Sequence, residues 1–295
     1  MIRKLFVPVM LFFITLSTVS GLDLSLSYNM GNLDYKNTRE ITETTFTGKK
    51  FPWGFTVWGA DQVGSQLELK AGFTADSVLR NLAYSRVSYQ NRFFTLGVGP
   101  FLGVFNSKSS LLKSGISTFV KVEWTGVLFF SVLSENTIGG NIIDTGDYSQ
   151  ERNIITGGFY VKNAICSLKA VNKRYTTMDE THRIVDDFKE YSFNTDIHEK
   201  NVPFTILLSF AYQDRTKSFI PLDTSLSPVR HSLSSIIVGT QVTVHPSRVM
   251  DIVFDLESSV FTFGRKALLG VSGTDTYLFN AKAGIVLHTE YIGNK

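Results

Sequence analysis

The 295-residue chain contains a single cysteine, Cys166, so it holds no internal disulfide, whichever redox compartment it occupies. Beyond the first two dozen residues no apolar run reaches the roughly 18 residues that a transmembrane helix requires. Any later membrane crossing therefore falls to strands. Lys and Arg form no cluster, and the formal charge of +3 is spread along the chain. That distribution excludes a nucleic-acid-binding tail and makes nucleic acid an unsuitable partner. With seven prolines and no Pro- or Ser-rich linker, nothing divides the chain, and one domain is expected. The five histidines show no metal-ligand spacing, and one cysteine cannot build a thiolate site. Gly97, Gly99 and Gly103 alternate with apolar residues inside a strand instead of opening a helix, so no phosphate loop is present. Neither metal nor cofactor is expected.

What is present begins with Arg3-Lys4, an apolar run from Leu5 to Leu16, and the small polar string Ser17-Thr18-Val19-Ser20-Gly21. This has the form of a signal peptide cut after Gly21, with Leu22 as the mature N-terminus. The run is too short for a spanning helix, and no Leu-x-x-Cys marks a lipidation site. The expected division is a leader over residues 1–21 and one exported domain over 22–295.

Period-two alternation decides the class, because successive strand side chains point to opposite faces. Leu22, Leu24, Leu26, Tyr28 and Met30 oppose Asp23, Ser25, Ser27 and Asn29; Leu67, Leu69, Ala71 and Phe73 oppose Glu68, Lys70 and Thr74. Val78–Ser88 supplies a less regular strand, followed by Phe94, Leu96, Val98 and Leu102. Ile116, Thr118, Val120, Val122 and Trp124 alternate with Ser117, Phe119, Lys121 and Glu123, then turn back through Leu128, Phe130 and Val132. Further pairs lie at Arg152–Val161 with Ala164–Tyr175, Phe188–Ile197 with Phe204–Tyr212, and Ile236–Val244 with Ile252–Leu256 around a turn at His245–Arg248. Tyr277 to Leu287 forms the last strand. Apolar faces on nearly every strand, opposite polar ones, predict an all-β fold: a transmembrane antiparallel up-and-down β-barrel of fourteen strands, with twelve and sixteen as neighbouring counts.

Connections alternate in length. Long polar ones are read at Asn32–Pro52, Asn106–Ser114, Asn136–Glu151, Thr176–Val185, Arg215–Ser232 and Phe263–Thr274, with turns of a few residues between them. Long loops are expected outside the cell and short turns in the periplasm. By phase, Glu68, Lys70, Lys121, Glu123, Asp251, Asp255, Glu257, Lys282 and His288 face inward and are the candidate pore lining. Charges of both signs inside a membrane barrel call for water or for one another.

The C-terminal stretch Lys282-Ala-Gly284-Ile-Val-Leu287 resembles the assembly signal on the last strand of bacterial outer-membrane proteins, although Thr289 stands where an aromatic is usual and Tyr291 takes up the outward phase. Over Leu22–Tyr291 the pattern is similar to that of porins, the fourteen-stranded outer-membrane pores. The resemblance implies recognition by the outer-membrane assembly machinery through the last strand, contact with membrane lipid, and passive diffusion of ions or small hydrophilic solutes. Long-chain fatty-acid transporters have a similar strand count but carry an N-terminal plug, whereas here the first strand starts at the cleavage site. The alternatives are a structural or adhesive surface protein, binding a host or matrix ligand through its loops, and a channel for hydrophobic substrates like those fatty-acid transporters, with Asn32–Pro52 folded inward in place of the plug. His245-Pro246-Ser247 resembles the His-x-Ser of outer-membrane phospholipases, and Asp196-Ile197-His198 the Asp-x-His of omptin-type proteases. Both fall at short turns and lack the accompanying residues, so no enzyme is expected.

Overall fold

The computed structural model describes residues 22–31, 53–76, 80–105, 112–139, 148–199, 201–263 and 279–288. The expected leader, residues 32–52 and 264–278 with Tyr277, residues 77–79 with Val78, parts of the connections read at Asn106–Ser114 and Asn136–Glu151, and the tail with Thr289 and Tyr291 lie outside the described residues. The strands are β1 Asp23–Gly31, β2 Trp53–Val63, β3 Leu67–Asp76, β4 Arg80–Gln90, β5 Phe94–Phe105, β6 Leu112–Trp124 and β7 Leu128–Thr137. They continue as β8 Tyr148–Val161, β9 Ala164–Met178, β10 His182–His198, β11 Phe204–Pro221, β12 Val229–Ser247, β13 Met250–Phe263 and β14 Phe279–His288. Each pairs antiparallel with its sequence neighbours, and β1 pairs with β14, so the sheet closes on itself. A closed sheet leaves no unpaired edge, which is what allows strands to cross lipid.

Cross-strand partners share a face, so register carries the alternation around the whole wall. Leu26 stands between Val57 and Ile285, while its neighbour Ser27 stands between Thr56 and Gly284. The first set is outward: Leu26, Val122, Phe130, Phe210 and Phe254 are exposed, whereas Ser25, Ser27 and Ser117 are buried. A continuous apolar belt of this extent is stable only against lipid. Among the described residues no helix is long and apolar enough to cross a membrane, and the strands do so instead.

Short turns use residues that tolerate a left-handed backbone. Gly64 and Gly126 sit at φ 73° in the β2–β3 and β6–β7 turns, and Asn201 at φ 78° in the β10–β11 turn. In three places an inward aromatic ring lies across its cross-strand glycine: Tyr84 over Gly72, Phe101 over Gly115 and Phe129 over Gly158. Any Cβ at those glycines would enter the ring. The glycines thus seat aromatics on the inner wall.

Two expectations need correction. The polar stretches Thr176–Val185 and Arg215–Ser232 are mostly strand: β9 and β10 are joined by residues 179–181 alone, and β11 and β12 by 222–228. Thr176, Thr177, Arg215, Thr216, Lys217 and Ser218 put polar residues on both faces as these strands leave the apolar belt, so the hydrophobic alternation that marks a strand is broken there. The tight β9–β10 turn is closed by Asp179, whose Oδ1 accepts N–H bonds from Thr181 at 2.8 Å and His182 at 2.7 Å. Burial pushes the Asp179 carboxyl up, but these donors more than offset it and hold it below the usual carboxylate range. Likewise, β12 runs through His245 and Pro246 to Ser247, and the turn is at Arg248-Val249. Proline is accommodated because the β12–β13 register shifts between Val244 and Ser247, leaving no ladder bond for it to donate. A second shift, opposite Ile236 and Ile237, places Val260 and Phe261 both outward, 63% and 57% exposed.

The orientation is testable. In a Cys166→Ala background, a cysteine at Asp223, in the longer connection, is expected to react with an impermeant maleimide on intact cells, and one at Ser247 only after lysis. Labelling of Ser247 alone on intact cells would invert the assignment.

Candidate functional site

The described strands enclose an inner wall on which most of their polar and charged side chains lie. On it, by register, lie all nine sequence-predicted residues. They occupy the part of the wall from the short-turn end to about mid-strand. Lys70 sits over the Trp58 ring, 4.0 Å from its centroid. Glu68 and Lys70 pair in register with Ser88 and Arg86. Lys121 forms an ion pair with Glu123, and Glu123 also accepts a 2.5 Å hydrogen bond from Tyr160 Oη on β8. Asp255 stands opposite Lys282, and Asn280 reaches Glu257 at 3.5 Å.

At the short-turn mouth the last strand is tied to the first. His288 Nδ1 lies 2.8 Å from Asp23 Oδ1 on β1, and its Nε2 lies 3.1 Å from Asp251 Oδ2 on β13. The other oxygen of Asp251 meets His245 Nδ1 at 2.7 Å. This is a linear chain of side chains, not a converging one, and no group able to hold a metal ion is found among the described residues. His245 is thus a partner of Asp251. Asp196 and His198 lie at the short-turn end of β10, away from the long loops.

Towards the long-loop end the structure assembles a cluster that the sequence reading missed. Asp186 on β10 and Arg215 on β11 pair at 2.9 and 3.3 Å, with side chains 2% and 3% exposed. Lys217 is the register partner of Asp186, and Lys173 lies over Phe188, 4.6 Å from its centroid. Beside them Tyr148 and Tyr175 stack with centroids 6.0 Å apart, and Leu82 packs against the pair from β4. Gln150, Gln213, Phe101 and Phe188 are also buried at this level. Inward side chains are therefore closely packed at this level. A signal for the cluster existed: extending the phase of Phe204–Tyr212 by two more inward positions past Gln213 reaches Arg215 and Lys217. The polar outer face hid the continuation.

Charge is divided around the wall. Among the described residues, inward cations on β3–β9 (Lys70, Arg86, Lys113, Lys121, Arg152, Lys169, Lys173) outnumber the acids Glu68, Glu123 and Glu135. On β10–β14 and β1 the balance reverses, with Asp23, Asp186, Glu190, Asp196, Asp251, Asp255 and Glu257 against Arg215, Lys217 and Lys282. Arg152–Glu135 at 2.9 Å lies within the first arc, and Lys169–Glu190 at 3.8 Å spans its border with the second. A transverse field across the enclosed space follows.

No protein-family model and no curated protein sequence matches the chain. Solved structures that resemble it include a bacterial polysaccharide outer membrane secretin (TM-score 0.49, 9% identity, covering 90% of this chain and 98% of the other). A loop L8 deletion mutant of OmpT, an outer membrane protein of Vibrio cholerae, gives 0.43 at 10% identity, over 90% and 98%. The KdgM porin in complex with disordered oligogalacturonate gives 0.41 at 9%, over 89% and 98%. The assignment to an outer membrane rests on this chain's own closed ladder and apolar belt, since a closed barrel is the only sheet that crosses lipid.

Proposed function

We propose that the protein is a porin-like channel for ions or small hydrophilic solutes, with Glu68, Lys70, Lys121, Glu123, Asp251, Asp255, Glu257, Lys282 and His288 lining its water-filled lower lumen. The observation that carries this reading is the segregation of charge around the inner wall. Arcs of opposite net charge facing one another across a barrel cost less free energy when water fills the space between them. Fourteen strands enclose a wider interior than eight, which side chains alone can fill. The Asp186–Arg215 cluster, with Lys173 and Lys217 beside it, is then the constriction that selects by size and charge. The leader over residues 1–21 directs export, and the mature chain starts at Leu22.

A second reading, a surface protein with a closed lumen, draws on that same cluster, because side chains only 2–3% exposed leave little room at that level. Planar-bilayer recording separates the two. Heat-modifiable protein beginning at Leu22 is expected to insert with stepwise conductance. Folded protein that inserts without any steps would overturn the channel in favour of the surface protein.

A further inference from the structure

The outer face changes character within one register step on β9–β12. On the apolar side of the border lie Phe193 and Phe210, and at the border Tyr191 pairs with Tyr212. Beyond it the next row reads Asn172, Lys189, Asp214 and Ser234, then Arg174, Asp187, Thr216 and Ser232, then Arg230 beside Ser218. Asn172, Arg174, Asp187, Lys189, Asp214, Thr216 and Arg230 line a polar cleft of about 400 Å³ that opens outward. A row of tyrosines followed by cations is the arrangement that side chains adopt at a membrane–water boundary.

The charges in the cleft are not mutually satisfied. Asp187 is held by Arg174 Nε at 2.6 Å, and Asp214 accepts from Ser234 Oγ at 3.0 Å. Lys189 and Arg230 have no ion pair among the described residues, and both are exposed. Two cations without acidic partners therefore converge on a polar recess directly above an aromatic and aliphatic surface. An occupant that satisfies both parts carries an anionic head and an apolar body.

We infer that this cleft binds the phosphate-bearing headgroup of an outer-leaflet lipid. Lys189 and Arg230 meet the phosphate, Asn172 and Thr216 donate to its remaining oxygens, and the acyl chains lie along Tyr191, Tyr212, Phe193 and Phe210. Arg and Lys are the side chains suited to phosphate, with charge-assisted hydrogen bonds stronger than neutral ones. The site lies on the outside of the barrel, so it is independent of whether the lumen conducts.

The test uses the folded mature barrel in phosphatidylcholine nanodiscs doped with phosphatidic acid, with lipid retention read by native mass spectrometry. Wild type is expected to retain phosphatidic acid in preference to phosphatidylcholine. The double variant Lys189→Gln/Arg230→Gln should bind it about 25-fold more weakly, a factor of about five for each cation. Lys162→Gln, in the β8–β9 turn, should bind it as wild type does. Equal retention by wild type and the double variant, or an equal loss in Lys162→Gln, would overturn the site. A second measurement needs no variant: millimolar inorganic phosphate is expected not to displace the lipid from wild type, because the acyl contacts are absent from it. Full displacement by inorganic phosphate would make the cleft a free-anion site and overturn the lipid assignment.

Discussion

Asp186→Ala is expected to destabilise the folded barrel by about 3 to 5 kcal/mol, the cost of leaving one member of a buried ion pair without its partner. The expectation follows from the position of Asp186. Its side chain is 2% exposed, both its oxygens meet Arg215, and its register partner is Lys217. Removing the carboxylate leaves Arg215 and Lys217 as neighbouring cations in a space from which water is largely excluded. Arg215→Ala is expected to cost a similar amount by stranding the acid. Asp186→Leu combined with Arg215→Met removes both charges at comparable volume and should recover most of the loss. Urea unfolding in detergent, followed by the gel shift of the folded form, measures all three. Single variants that unfold at the wild-type urea concentration would mean that the pair is bathed in water, and the narrowing assigned to that level would be wrong.

The second large effect separates two adjacent residues of β13. Phe254 is 53% exposed on the belt, between Val242 and Ala283, while Asp255 stands on the inner wall between Gln241 and Lys282. Phe254→Arg puts a charge against hydrocarbon, at a cost of roughly 2 to 4 kcal/mol near the midplane. The heat-modifiable fraction should fall accordingly. Asp255→Lys should fold at nearly wild-type yield and shift the reversal potential in a salt gradient towards anions, because it removes an acid from the acidic arc. Normal folding of Phe254→Arg together with failure of Asp255→Lys would reverse the two faces. An unchanged reversal potential in a conducting Asp255→Lys barrel would remove Asp255 from the ion path.

Legibility in the sequence followed the belt. Where the outer face is apolar, as along Leu67–Phe73, Ile116–Trp124 and Phe204–Tyr212, alternation gave both the strand and its phase; the count of fourteen also needed the less regular Val78–Ser88, placed because the chain must cross before the next strand. Alternation failed wherever the outer face left lipid. The upper ends of β10 to β12 read as loops because Asp187, Asp214, Thr216 and Arg230 make their outer face polar. With those strand ends went the inward residues beside them, including Asp186, Arg215 and Lys217. The Gly72, Gly115 and Gly158 seats were missed for a different reason: a glycine's role there belongs to the ring on the next strand, and nothing local marks it.

By itself the sequence determined the class of fold and the faces of the regularly alternating strands, since both depend only on side chains pointing alternately along one strand. Tertiary structure alone decided which inward groups meet and at what height. Asp186 finds Arg215 twenty-nine residues away, and His288 finds Asp23 across a separation of 265, because closure of the ladder sets each strand's register against the next. Register is a property of pairs of strands around the ring, so it cannot be read from any one of them.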